Sequence, residues 1–398
     1  MSQNLERLSF LVCIICMFIF VNYVDYANIG PLLPVASSRE AVTTTYPLPN
    51  ISTGRLERGE VTGSDDLPMI KKISSLYQKH PIFMSYLRQY EAMFNKSFVI
   101  GSSVETLDHS NKITNVSATT ILCTMQTKAY IKLLDAETSP IREIGLGKYF
   151  RLEPLLSEVP RYNSCAVVGS SPAVLNSSRG VEIDAHDAVL RFNSAPTKTF
   201  EKDVGTKTTL RLLNNRYLES DGWAEEFAKS DLSRDTILVS WKGTGGTYNG
   251  NVFHMIRVCQ KYLKGYLNWT VTYPDRPMYL INPVSQWRGW DVIEEFSEER
   301  ISPHTPTSGF IGVQLMLPLC ERIDVYGIVQ PEIRVHGSCK YFNRQPCPPP
   351  NRTRSKENIF HPRDSERDLL LKMNTGSEED VKTIGKITVQ GYSTRPCE

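Results

Sequence analysis

The chain has 398 residues, enough to bury one large core or two smaller ones. Its 45 Lys and Arg stand against 43 Asp and Glu, and a net charge of +2 excludes the strongly basic footprint of a nucleic-acid partner. Nine cysteines, seven of them beyond residue 100, exceed what a cytosolic enzyme needs and indicate an oxidising compartment.

Residues 8–24, "LSFLVCIICMFIFVNYV", carry no charge. As a helix they reach roughly 25 Å, short for a plasma-membrane span and suited to the thinner bilayers early in the secretory pathway. Arg7 precedes the run and no Lys or Arg follows until Arg39, so the N-terminus is expected in the cytosol and the rest in the lumen. A cleaved signal peptide is the alternative, but no small-x-small site closes the apolar run. Residues 1–7 would be a cytoplasmic tail and 8–24 a signal anchor. Residues 25–112 read as a stem, rich in Pro, Thr, Ser and Gly to about 66 and then partly helical, with a break at Pro81. Six Asn-x-Ser/Thr triplets, at Asn50, Asn95, Asn115, Asn176, Asn268 and Asn351, are candidate N-glycosylation sites of a lumenal chain.

From 113 to 398 there is no repeat and no long low-complexity stretch, which predicts one globular domain. Strands are expected at 166–168, 188–192, 208–213, 236–241, 278–281 and 323–328, and helices at 222–228, 251–262, 308–319 and 365–373. Apolar strands alternating with helices predict an α/β domain with a mostly parallel central sheet flanked by helices. Ligands in such folds bind at the carboxyl ends of the strands. The stretch 163–197, "NSCAVVGSSPAVLNSSRGVEIDAHDAVLRFNSAPT", puts a Gly-Ser loop at such an end. Gly169 permits a tight turn, and Ser170 and Ser171 offer hydroxyls and N–H groups at an expected helix start, where a phosphate fits. Neither a G-x-G-x-x-G nor a P-loop follows, and the chain has no Asp-x-Asp with which to hold a metal on a diphosphate. A nucleotide-sugar donor would therefore carry one phosphate and need no metal.

Three ordered stretches carry a resemblance. "CAVVGSS…GVEIDAHDAVLRFNSAPT…DVGTKTTLRLLNN", from Cys165 to Asn214, resembles the large sialyl motif of the animal sialyltransferases. "PTSGFIGVQLMLPLCERIDVYGI", 306–328, resembles the small motif, and "HPRDSE", 361–366, the very short His-x4-Glu motif. The wording is nearest to the β-galactoside α2,6-sialyltransferases. The resemblance implies a single catalytic glycosyltransferase domain of variant GT-A type, with CMP-sialic acid as donor and no cofactor. The acceptor would be a terminal galactose or N-acetylgalactosamine hydroxyl on glycoprotein glycans. It further implies a Golgi type II membrane protein held by residues 8–24, and inversion by a single displacement.

Under this resemblance His361 would be the general base, since its unperturbed pKa lies near 6.5, with Glu366 orienting or capping nearby. Ser170, Asn193, Asn214, Ser308 and Gly309 would bind the donor, the asparagine amides pairing with donor and acceptor edges. Asp184 and Asp187 are expected to brace a turn. Disulfides Cys165–Cys320, Cys123–Cys397 and Cys339–Cys347 would follow the family's pairing, with Cys259 a buried free thiol.

The chain departs from the family in its third motif, where Lys340-Tyr341-Phe342-Asn343 replaces a histidine and an acid; Lys340 and Tyr341 could still support the donor. Acceptor contacts would come from 243–269, which has no match. Trp241, Trp287 and Trp290 could stack on sugars but are more often core. The rival readings are an α2,3-type or other-acceptor sialyltransferase, and a non-catalytic glycan- or CMP-binding relative.

Overall fold

The apolar runs that predict strands form a parallel sheet. The computed structural model describes residues 116–397, apart from 139–140, 143–144, 152–154, 156–158, 243–254, 256–258, 299, 302–303, 330, 332–337, 347–360 and 395–396. The expected tail, anchor and stem therefore lie outside the described residues. So do Asn50, Asn95, Asn115, Asn351, Cys347 and the acceptor segment up to 254. Among the described residues no helix is long and apolar enough to cross a membrane.

The chain order is α1 (Ala118–Lys128), β1 (Tyr162–Val168), α2 (Gly180–Asp184), β2 (Ala188–Phe192), α3 (Glu201–Val204) and β3 (Leu210–Asn214). Then come α4 (Asn215–Glu219), α5 (Trp223–Lys229), β4 (Ile237–Trp241), α6 (Gln260–Thr272), β5 (Met278–Leu280) and α7 (Pro283–Phe296). The last third holds α8 (Ser308–Met316), β6 (Cys320–Tyr326), the hairpin β7 (Ser338–Lys340) and β8 (Asn343–Pro346), α9 (Arg363–Lys372), α10 (Glu378–Ile384) and β9 (Ile387–Gln390).

Seven strands line up as β5-β4-β3-β2-β1-β6-β9. All neighbours are parallel except β9, which runs antiparallel to β6. The chain builds outward from β1 to β5 and then returns to lay β6 on the other side of β1. That reversal is a topological switch point, where α/β sheets place their ligands. Strand residues alternate between two cores. Leu190, Phe192, Leu210 and Leu212 join the core that contains Phe310 and Val313 of α8, whereas Val189 packs with Ile183 of α2 on the opposite face.

Two close approaches shape the switch point. A Cβ on Gly169 would meet the Gly327 carbonyl oxygen, so β1 and β6 end with backbones in contact. A Cβ on Gly312 would lie 2.6 Å from the Phe192 ring, so α8 lies directly against β2. Disulfides join Cys165 of β1 to Cys320 of β6 and Cys123 of α1 to Cys397. Cys339 is also disulfide-bonded, and Cys259 is a buried free cysteine.

Four local expectations need correction. Most of the helix expected at 251–262 lies outside the described residues; the described helix α6 meets it only at 260–262 and runs on to Thr272, with Leu263, Tyr266, Leu267 and Trp269 buried. Helix α7 was not anticipated, although Asn282 caps it by accepting from Val284 N and Pro283 stands first, an ordinary start signal. The C-terminal strand β9 and the β7–β8 hairpin are too short for a clear alternation. Finally, the loop after β1 leads into a single 3-10 turn, Pro172–Val174. Pro172 brings no N–H and the Ala173 N–H is already spent on the Ser171 hydroxyl, so the backbone of this loop offers a phosphate fewer donors than a helix start would.

Candidate active site

The expected site residues converge on the carboxyl edge of the sheet and on the start of α8. Asn193 ends β2 in a left-handed conformation, φ 52°. Its N–H donates to Leu212 O, and its Oδ1 accepts from the backbone N–H of Asn214 at 3.0 Å. Asn214 in turn caps α4, its Oδ1 accepting from Arg216 N at 3.1 Å. The two asparagines are thus coupled, and each keeps a side-chain amide NH2 for a ligand. At the end of β1, the Ser170 carbonyl accepts from Tyr341 N at 3.0 Å.

Helix α8 begins at Thr307, whose Oγ1 accepts from Phe310 N. The N–H groups of Ser308 and Gly309 have no intrahelical acceptor, so this helix start offers two backbone donors. Ser308 Oγ accepts from Trp241 Nε1 at 3.1 Å, pinning the helix start to the end of β4. Trp241 and Trp287 are buried, so neither is a free sugar platform; Trp290 is half-buried and packs edge-on against Trp287.

His361 stands just before α9, half-buried. Its Nδ1 lies 2.7 Å from Thr305 O. A carbonyl can only accept, so Nδ1 carries the hydrogen and Nε2 keeps its lone pair. Burial holds the imidazole pKa below its ordinary 6.5, the Thr305 hydrogen bond opposes this, and Arg363 and His304 push it further down. Glu366 does not touch His361. Buried on α9, it accepts from Thr307 N at 2.7 Å and from Thr307 Oγ1 at 2.5 Å. Burial pushes its carboxyl up to about 7, against the pull of both Thr307 hydrogen bonds and of Arg363. The His-x4-Glu pair therefore grips residues 305 and 307 from the start of α9 and the residue before its cap, and fixes where α8 starts. Thr305 and Thr307 were not anticipated as the partners of His361 and Glu366, although Thr307 before an apolar helix is a recognisable cap.

In the third motif, Tyr341 is buried and braces the site, its OH donating to Pro196 O at 2.5 Å. Lys340 is exposed and lies over the Phe342 ring. Asp184 accepts from Thr206 N, Thr206 Oγ1 and Lys207 N, and Asp187 from Ser164 N, so both brace turns. Asn176 and Asn268 are exposed. Among the described residues no group of three His, Cys, Asp or Glu is arranged to hold a metal ion.

A family model for glycosyltransferase family 29 (sialyltransferase) matches residues 148–377, more than half of the chain, and the protein belongs to that family. Rat beta-galactoside alpha-2,6-sialyltransferase 2 is 36% identical over 281 residues, 70% of this chain and 51% of the rat protein. The human protein of the same name is 35% identical over 286 residues, 71% of this chain and 52% of its own length. The chain spans about half the length of the curated relatives it matches. A crystal structure of a mammalian sialyltransferase overlays with a TM-score of 0.37 at 19% identity, over 69% of this chain and 86% of that one. A second, of a mammalian sialyltransferase with Gal-beta-1-3GalNAc-ortho-nitrophenol, overlays with the same TM-score.

Proposed function

We propose that the protein transfers sialic acid from CMP-sialic acid to a terminal galactose or N-acetylgalactosamine hydroxyl of glycoprotein glycans, in α2,6 linkage. The observation that carries this is the grip of His361 and Glu366 on residues 305 and 307, beside the coupled asparagines. In this reading it brings together a base, a helix start open to the phosphate and amide donors at the carboxyl ends of the strands. The names of the relatives support the galactoside acceptor and the α2,6 linkage.

In this reading Asn193, Asn214 and Ser170 hold the nucleotide, and the N–H groups of Ser308 and Gly309 receive its phosphate. The acceptor oxygen attacks the anomeric carbon while the bond from that carbon to the phosphate oxygen breaks. The bonding pair leaves with CMP, the hydroxyl proton passes to His361 Nε2, and configuration inverts. The donor phosphate is a good leaving group, so the reaction requires no metal. Residues 8–24 would hold the protein in the Golgi membrane with the catalytic domain lumenal, and Asn176 and Asn268 would be open to glycosylation there.

The altered third motif favours a second reading, a CMP- or glycan-binding relative without turnover. The test is incubation of the full chain in detergent with CMP-sialic acid and a galactose-terminated N-glycan, followed by linkage analysis of the product. An α2,6 product supports the proposal, an α2,3 product moves the chain to the rival linkage, and CMP binding without product supports the second reading.

A further inference from the structure

Arg191 of β2 and Arg211 of β3 are register partners in the sheet, and each is 1% exposed. Neither makes an ion pair among the described residues. Arg191 Nε donates to Lys207 O and Thr208 Oγ1, and its Nη2 to Val204 O at 2.7 Å. Its Nη1 is buried with no partner. Arg211 Nε donates to Leu232 O, and its Nη1 to Asn193 O at 2.7 Å and Ala195 O at 3.2 Å. Every acceptor is an uncharged oxygen.

Burial pushes both guanidinium pKa values down to about 10, Arg211 also through Arg191, so both stay charged at neutral pH. The other ionisable groups acting on them are Asp184, Tyr341 and Tyr217. The Asp184 carboxylate is already occupied by Thr206 and Lys207. Two buried like charges with no carboxylate hydrogen-bonded to either are costly to fold around. Arg211 lies directly beneath the turn that presents Asn193 and holds its left-handed backbone through the Asn193 and Ala195 carbonyls, with Arg191 beside it as its register partner on β2.

We infer that Arg191 and Arg211 form a fixed, buried double positive charge beneath the strand ends, which selects an anionic nucleotide over its uncharged nucleoside without touching either. They are positioning residues for the phosphate-bearing ligand, and the inference rests on the donor reading above.

The test is calorimetric titration of the full chain in detergent with CMP and with cytidine. Two charges acting through protein are expected to favour CMP by about tenfold each, on the order of 100-fold together. Because buried charges are poorly screened, that ratio should change less than about threefold between about 0.05 and about 0.5 M NaCl. A ratio that collapses towards one in high salt assigns the preference to exposed cations such as Lys340 and overturns the inference. Arg191→Gln and Arg211→Gln should each lower the CMP-to-cytidine ratio about tenfold, while Arg191→Lys and Arg211→Lys preserve most of it. Equal loss of CMP and cytidine binding means a packing role alone and contradicts it. If the glutamine variants do not fold, Arg191→Met and Arg211→Met take their place, and a ratio that collapses in high salt on the unaltered chain still overturns the inference. Absence of CMP binding in the unaltered chain overturns the donor reading and this inference together; CMP binding without a salt-resistant preference overturns this inference alone.

Discussion

With Nδ1–H committed to Thr305 O, the imidazole of His361 has its one lone pair on Nε2. Burial disfavours the imidazolium, so the neutral base persists to lower pH than a free histidine would allow. The acid limb of the kcat/KM profile for transfer should therefore have its midpoint below 6.5, with rate lost only as pH falls through it; a midpoint above 6.5 contradicts the geometry. Glu366 behaves in the opposite sense. Its pKa is raised to about 7, so the folded state binds this proton more tightly than the unfolded chain does. Its contribution to stability accordingly falls as pH rises from about 4.5 to about 7. Melting curves of the wild type and Glu366→Gln across that range should show the wild type losing ground to the variant as pH rises.

At the scale of elements, α8 is placed by three separate constraints. Glu366 holds its cap, Trp241 holds Ser308, and Gly312 lets it touch β2. Gly312→Ala forces a methyl group into the Phe192 ring and is expected to cost about 1–3 kcal/mol, read as a lower Tm with reduced CMP binding. At the other edge of the sheet, β9 is tied to β6 through Asp324, which is fully buried. It accepts from His186 Nε2 at 3.1 Å, Arg322 Nη2 at 2.5 Å and Thr388 Oγ1 at 2.7 Å. Burial alone would raise its carboxyl, but these partners and Lys386 hold it well below the ordinary range. Its stabilisation is therefore present above the ordinary carboxylate pKa and lost as pH falls well below it. Asp324→Asn should cost about 3 kcal/mol in denaturant unfolding at neutral pH, because it removes the buried acid that pairs with Arg322 and Lys386.

For the whole molecule, the parallel sheet was legible because buried strands read as unbroken apolar runs; β2 falls at 188–192 as the sequence predicts. Helices α6 and α7 were harder, since aromatic and charged residues interrupt their apolar faces, and α7's Asn-Pro start was the available signal. At the site, motif order pointed to His361, Asn193 and Asn214. The grip on Thr305 and Thr307 was not legible, because it joins positions 56 and 59 residues apart. Nor was the buried arginine pair, since strand arginines ordinarily read as solvent-facing. Cys165–Cys320 closes a loop of 155 residues across the switch point. Its removal as a double serine variant should cost up to about 5 kcal/mol on the chain-entropy account, measured by denaturant unfolding.

The most direct test of the account is transfer of labelled sialic acid from CMP-sialic acid to a galactose-terminated N-glycan. The full chain is assayed with EDTA present, beside His361→Ala shown by calorimetry to bind CMP. The account predicts product from the wild type in EDTA, and a loss of at least about 100-fold in the variant with CMP affinity retained. A His361→Ala protein that transfers as fast as the wild type, or a wild type that binds CMP but transfers nothing, would contradict it.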